Sequence, residues 1–153
     1  MNVTVETELP IPAELACKLA QKPAMLLHVL WPWMGLTPLT PLPEQLVEGD
    51  EIVVRLRFFG LLPAWRHTVH VARLAPTEIV SREHGGPVST WDHRLSFEPI
   101  GERSCRYTDS VEVRSGIATP LTWLYAQLIY RYRSRRWRTL ARVLADPAAP
   151  AAR

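Results

Sequence analysis

The residue types best suited to chemistry are a histidine and an aspartate on two neighbouring segments that alternate apolar and polar side chains. His93 lies in the first segment, Asp109 lies in the second, and Gly101 lies in the turn between them. Antiparallel pairing about Gly101 would place His93 opposite Asp109 on the apolar face of a hairpin. A carboxylate favours the imidazolium form of a neighbouring histidine while burial opposes it, so the two residues are a candidate acid and base. The pair would equally serve as a buried polar contact that holds the hairpin together, and the pattern leaves both interpretations open.

Other side chains share the inward parity of these strands and predict a ligand pocket. Trp65 and His67 alternate with outward residues on one strand, and Trp91 does so on another. An indole combines a large apolar surface with one polar N–H group, which suits the wall of a binding site. A solid core explains the same pattern equally well. The pocket residues predicted from the strands and from one helix face are Trp65, His67, Trp91, His93, Tyr107, Asp109, Tyr125 and Leu128.

Several classes of site lack the residues that they need. His67 and His70 point to opposite faces of one strand, and no other group of His, Asp and Glu has metal-ligand spacing, so we predict no metal. The sequence contains no phosphate-binding glycine loop and no Gly-x-Ser-x-Gly motif, and we predict no cofactor. Cys17 and Cys105 form neither a CxxC motif nor a disulfide framework, and the N-terminal segment does not have the pattern of a secretory signal. We therefore expect the protein in the reducing cytoplasm.

Length and composition limit the possible architectures. The 153 residues are 47% apolar and 22% charged, which is typical of one globular domain. We place this domain at residues 1–145 and expect a disordered tail rich in Ala and Pro at residues 146–153. The formal net charge of +3 is far from that of dedicated nucleic-acid-binding proteins, so we expect no nucleic-acid partner.

The elements that position the candidate residues follow from the spacing of apolar side chains. Residues 3–9 alternate as a strand, two short helices are predicted within residues 12–33, and residues 120–145 form one long amphipathic helix. Five further strands lie between them, at residues 52–59, 65–72, 77–84, 90–98 and 106–113. This order predicts an α+β fold in which the long helix covers one face of a curled antiparallel sheet.

The long helix is predicted to have three distinct faces. At 100° per residue, one face groups Leu121, Tyr125, Leu128, Tyr132 and Val143, which we expect against the sheet. A neighbouring stripe holds Arg131, Arg135, Arg138 and Arg142, and the far side holds Trp123, Tyr130 and Trp137. The aromatic and arginine residues would suit an anionic membrane surface or a second subunit. Alternatively, the arginines have no partner outside the chain and only offset the helix dipole. The chain is predicted to be a monomer or a homodimer.

The order of elements resembles the START-like or Bet v 1-like (SRPBCC) superfamily, and more narrowly its bacterial polyketide cyclase/dehydrase-like branch. The resemblance rests on residues 5–15, Trp65, residues 86–99 and residues 107–113, and it spans residues 3–144. It implies the helix-grip fold, in which a curled seven-stranded antiparallel sheet surrounds the C-terminal helix and encloses an apolar pocket. It also implies that Trp31 and Trp33 lie at the mouth of that pocket.

Three functions are compatible with these observations. The preferred hypothesis is a non-catalytic protein that binds a small hydrophobic molecule of lipid, polyketide or aromatic type between sheet and helix. The second is a cyclase- or dehydratase-type enzyme that uses His93 as general base and Asp109 to orient it. The third is a module that docks on a membrane or a protein through the Trp/Arg face of the long helix.

Overall fold

The computed structural model describes residues 1–146, so the predicted tail, apart from Asp146, lies outside the described residues. Seven strands and three helices are described within this range. In chain order they are β1 (Asn2–Leu9), α1 (Ala13–Ala20), α2 (Pro23–Leu30), β2 (Met34–Pro38), β3 (Glu51–Phe58), β4 (Leu62–Ala75), β5 (Glu78–Gly85), β6 (Val88–Gly101), β7 (Ser104–Arg114) and α3 (Thr119–Ala145). No helix within residues 1–146 is long and apolar enough to cross a membrane.

The seven strands form one antiparallel sheet in the order β1-β7-β6-β5-β4-β3-β2. The predicted α+β helix-grip fold, with two short helices after the first strand and a long C-terminal helix, is confirmed. Periodicity alone missed only β2, because it has five residues and includes Gly35 and Pro38, so it offers no run of alternating side chains. This short strand is one edge of the sheet and pairs with β3.

The core is solid at one end of the molecule. The long helix α3 packs against β1 and β7, and α1 packs against β6 and β7. Leu9, Phe97, Tyr107 and Trp137 are buried together there. The concave face of β3 contributes Ile52, Val54 and Leu56 to a separate apolar cluster, which lies near the other edge of the sheet. Space between sheet and helix therefore remains on the side of β2 to β5.

The face of α3 that meets the sheet differs from the predicted one. Leu121 and Leu128 are 72% and 54% exposed, whereas Tyr130 and Trp137, expected on the outer face, are buried. The buried face is Ala126, Ile129, Tyr130, Arg133, Ser134, Trp137 and Ala141. The small residues of this face, such as Ala126 and Ala141, let the helix approach the sheet closely. The buried charge of Arg133 on the same face lies beside Asp109. The predicted docking face is therefore wrong in its aromatic part, because Tyr130 and Trp137 are buried, whereas the four arginines of the stripe are exposed.

The register of the β6–β7 hairpin is shifted by two residues from the predicted one. His93 pairs with Val111, and Asp109 pairs with Leu95. The shift arises because the chain reverses between Gly101 and Ser104, beyond Gly101 itself, after an irregularity in the strand pairing. A shift of two residues keeps each side chain on its face of the sheet, so His93 and Asp109 remain diagonal neighbours on the concave face.

Candidate functional site

A cavity of about 570 Å³ lies between the sheet and α3. Most of its wall is aliphatic or aromatic and comes from α2, from β2 to β6 and from the first half of α3. The inward residues of β3 show how the sequence builds this wall, since Ile52, Val54 and Leu56 alternate with outward residues. The lining also contains a small set of polar and charged residues, which are Ser81, Glu83, His67, His93, Thr122 and Arg133.

The predicted pocket residues fall into three groups. Trp65, His67, Trp91, His93 and Tyr125 line the cavity. Tyr107 and Asp109 are fully buried behind its wall, because they lie under the contact between β7 and α3. Trp31 and Trp33 are 54% and 37% exposed and lie outside the cavity lining, and Leu128 points to the surface with its helix face. The predicted position in the pocket wall is therefore wrong for Tyr107, Asp109 and Leu128, and Trp31 and Trp33 do not line the cavity either.

Glu83 on β5 connects the two histidines of the cavity wall. His67 Nε2 lies 3.1 Å from Glu83 Oε2, and His93 Nδ1 lies 3.7 Å from Glu83 Oε1. The Ser81 hydroxyl donates a hydrogen bond of 2.6 Å to Glu83 Oε1. Sequence analysis missed Glu83 because β5 carries only one strongly apolar inward residue, Ile79. The available signal was parity, since Ile79, Ser81 and Glu83 are spaced two apart on one strand.

Asp109 is the second carboxylate of the cluster and is 0% exposed. Its Oδ1 lies 2.5 Å from His93 Nε2, and its Oδ2 accepts a 2.6 Å hydrogen bond from the Tyr107 hydroxyl. Arg133, only 4% exposed, brings its Nε to 3.4 Å from Asp109 Oδ2, and its guanidinium carbon lies 5.7 Å from the ring centre of Tyr130. The network therefore joins β6, β7 and α3 through charged groups.

The charges of this cluster stabilise one another. Burial opposes the ionisation of Asp109, but the charges of Arg133 and His93 outweigh it and hold the pKa of Asp109 below its ordinary value. Burial also opposes the charge of Glu83, but the hydrogen bond from His67 and the nearby His93 ring outweigh this effect and lower the pKa of Glu83. Burial disfavours imidazolium at His93, but the charge of Asp109 prevails and raises the pKa of His93. Two carboxyl groups with lowered pKa values thus lie beside the guanidinium of Arg133 and the ring of His93, whose raised pKa favours its imidazolium form.

This arrangement favours a proton donor at position 93 over a proton acceptor. Both ring nitrogens of His93 face carboxylate oxygens, so the imidazolium form can direct both of its N–H groups at Glu83 and Asp109. In that form the ring has no lone pair with which to accept a proton. A role as general base would require the ring to lose a proton first, whereas a role as proton donor would use the Nδ1–H group, which lies 3.7 Å from Glu83 Oε1 and is therefore not held by a hydrogen bond.

Three buried polar atoms of the cavity wall have no hydrogen-bond partner within residues 1–146, namely Trp65 Nε1, His67 Nδ1 and Arg133 Nε. Arg133 Nε still lies 3.4 Å from the charge of Asp109, whereas Trp65 Nε1 and His67 Nδ1 form no ion pair in the described part of the chain. A buried polar atom without a partner costs about 1–3 kcal/mol, so both atoms are candidates for contact with a bound molecule. Within the same residues, no group of three or more His, Cys, Asp and Glu side chains is arranged to hold a metal ion. Burial raises the pKa of the Cys105 thiol to about 11, which makes it a poor nucleophile.

The fold is shared with several solved structures of low sequence identity. A protein from Chromobacterium violaceum is 14% identical with a TM-score of 0.72, and the match covers 92% of this chain and 96% of that one. A START superfamily protein from Mycobacterium smegmatis is 15% identical with a TM-score of 0.68, and the match covers 94% and 98% of the two chains. The Zhui aromatase/cyclase from Streptomyces sp. R1128 is 13% identical with a TM-score of 0.68, and the match covers 98% and 99%. These similarities confirm the predicted START-like helix-grip fold.

Sequence comparison assigns the chain to one family within that fold. No curated protein sequence matches it significantly. Residues 7–143 match the family described as Domain of unknown function (DUF8410). The match extends from β1 to the last turns of α3 and includes the whole cavity wall and the buried charge cluster. The chain is therefore a member of the DUF8410 family, with the START-like fold.

Proposed function

We propose that the protein binds a small, mostly apolar molecule in the cavity between the sheet and α3. The observation that carries the proposal is the cavity of about 570 Å³ with its largely apolar wall. Its volume falls within the roughly 300–1,000 Å³ of small-molecule sites. The indoles of Trp65 and Trp91 supply flat apolar surface, and the cluster around Glu83 supplies a polar end that would orient the guest. Both cysteines are buried free thiols, which supports the proposed location in the reducing cytoplasm.

Binding is tested with the neutral fluorophore N-phenyl-1-naphthylamine, whose emission rises in an apolar site. We expect saturable binding of one fluorophore per chain. Leu56→Trp, which adds volume inside the cavity, weakens binding by about tenfold, since overpacking costs ~1–3 kcal/mol. Val53→Trp, on the opposite face of the same strand, leaves the affinity unchanged. An absence of saturable binding, or an equal loss in both variants, would overturn the proposal.

The second candidate is a dehydratase- or cyclase-type reaction on the bound molecule. The position of His93 supports it, because an imidazolium at the cavity wall could protonate a hydroxyl group of the guest as the C–O bond breaks and water leaves. The proton of the neighbouring carbon passes to solvent as the C=C bond forms, and the imidazole regains its proton from solvent. The similarity in fold to an aromatase/cyclase is compatible with this reaction class. In this version His93 is the acid, which differs from its predicted role as general base.

The reaction is tested with the β-hydroxyketone 4-hydroxy-4-(4-nitrophenyl)butan-2-one, because loss of water produces a conjugated ketone that absorbs light. The candidate predicts dehydration above the rate in buffer and loss of that rate in His93→Gln. His70→Gln is the matched control, because His70 lies on the opposite face of β4 from His67 and outside the cavity lining. No rate above buffer, or an equal rate in His93→Gln, would leave only the binding function.

A further inference from the structure

A second concave site lies beside the cavity, at the free edge of the sheet. It is a groove of about 550 Å³ between α2, β2, the end of β3 and α3. Four consecutive residues of β2, from Met34 to Thr37, line the groove. Neighbouring side chains of a strand point to opposite faces, so a groove that touches all four residues must run along the edge of the strand. Because β2 is an edge strand, this edge carries backbone groups that do not pair with β3.

The groove has a different chemistry from the cavity, because two guanidinium groups line it. Arg57 comes from β3 and Arg136 from α3. Among residues 1–146, neither forms an ion pair with a carboxylate. The excess positive charge here is therefore not neutralised by the part of the chain that the structure describes. Guanidinium groups form paired hydrogen bonds with carboxylate and phosphate oxygens, which makes an anion the matching ligand.

Two neighbouring rings complete the groove. Arg136 Nη2 lies 3.2 Å from His28 Nε2 and also donates to the His28 carbonyl at 3.3 Å. Because a guanidinium can only donate, His28 Nε2 accepts this hydrogen bond and the proton of the ring lies on Nδ1. The indole of Trp31 packs on the backbone of Gly60, where a side chain would overlap the ring, and contributes an apolar wall. Because the Trp31 ring packs on Gly60 in the groove, it lies outside the main cavity.

The groove and the cavity are adjacent. Leu27, Met34 and Leu36 line both of them, so the charged site and the apolar one share part of their walls. A molecule with an apolar chain and an anionic head would match this pair of spaces better than a neutral molecule of the same size. We infer that the groove binds the carboxylate or phosphate head of an amphipathic ligand, held by Arg57 and Arg136, while the apolar chain of that ligand enters the cavity. This inference rests on the proposed binding function and specifies its ligand class.

The test compares three ligands with the same twelve-carbon chain, namely dodecanoate, dodecyl phosphate and dodecanol, by displacement of N-phenyl-1-naphthylamine. We expect at least one of the two anions to bind about tenfold more tightly than dodecanol, which corresponds to about 1.4 kcal/mol. The anion that binds better identifies the head group. In the double variant Arg57→Gln, Arg136→Gln, the preference falls below about twofold while the affinity for dodecanol is unchanged.

The matched control is the double variant Arg131→Gln, Arg138→Gln, which removes the same charge from exposed positions of α3 that do not line the groove. It retains the preference for the anion. Equal binding of all three ligands by the unmodified protein would overturn this inference and leave the proposed function standing. An equal loss of preference in both double variants would also overturn it, because the effect would then be that of net charge. If the fluorophore and all three ligands fail to bind, the proposed binding function itself is wrong.

Discussion

Replacing Asp109 by Asn removes one charge from the buried cluster with little change in volume. In the folded protein this carboxylate interacts with His93, Tyr107 and Arg133, and it is 0% exposed. The substitution leaves the buried guanidinium of Arg133 with one carboxylate fewer to balance it. Removing one partner of a buried ion pair costs about 3–5 kcal/mol, a large part of the 5–15 kcal/mol by which a domain is typically stable.

Urea unfolding followed by tryptophan fluorescence measures this loss. With a dependence on urea of about 2 kcal/mol/M, a loss of about 4 kcal/mol lowers the unfolding midpoint by about 2 M. The matched control is Asp92→Asn, which removes an exposed carboxylate from the outer face of β6 and changes the stability by less than about 0.5 kcal/mol. A midpoint shift below about 0.5 M for Asp109→Asn would refute the view that the cluster depends on this charge.

A double variant separates charge balance from simple loss of packing. Arg133→Met removes the guanidinium, the main positive partner of Asp109, and keeps an unbranched apolar side chain in its place. If the two charges stabilise each other, the double variant Asp109→Asn, Arg133→Met is more stable than the sum of the single losses predicts, by about 1–3 kcal/mol. Strict additivity of the two losses would mean that the 3.4 Å contact carries no coupling.

Two further predictions concern pH and the turn beneath Trp65. Because the pKa of His93 is raised by Asp109, the stability that its charge contributes is fully present below about pH 6.5 and is lost as the pH rises through the raised value. The stability difference between the unmodified protein and His93→Gln, measured by urea unfolding from pH 5 to pH 9, therefore shrinks with rising pH, and a constant difference would contradict the assignment. Gly86 and Gly116 both have a φ of +53°, but a Cβ at Gly86 would overlap the Trp65 ring and one at Gly116 meets nothing within 4 Å. Gly116→Ala therefore costs only about 1–2 kcal/mol of backbone strain. Gly86→Ala costs more and also weakens fluorophore binding at the cavity, and equal losses of stability in the two variants would count against this contact.

The sequence determined much of the site through strand parity. Alternation placed His93 and Asp109 on the concave face, and this held even though the register was two residues off, because a shift of two residues does not change the face. Parity also placed Trp65, His67 and Trp91 at the cavity wall. Strand parity did not predict whether the interior would be solid or hollow, because core residues and pocket residues show the same alternation.

The face of α3 shows a limit of the helical pattern. The largest aliphatic residues of its first half, Leu121 and Leu128, predicted the wrong buried face. The helix instead buries Arg133 together with Tyr130 and Trp137, a choice that depends on a partner from a strand far away in the sequence. A residue that is costly to bury alone becomes acceptable only when the opposite charge is held in the right place.

The sequence by itself determined the order of the elements, the helix-grip architecture and the faces of the central strands, because these follow from local periodicity and from a recognisable order of motifs. Only the tertiary structure decided how α3 is rotated, that Glu83 bridges two histidines, and that Arg57 and Arg136 share a groove. These features join residues from separate elements, and their positions depend on where the sheet curls away from the helix. Local sequence patterns do not specify the distance between the sheet and α3, so the cavity and the groove could be identified only from the tertiary structure.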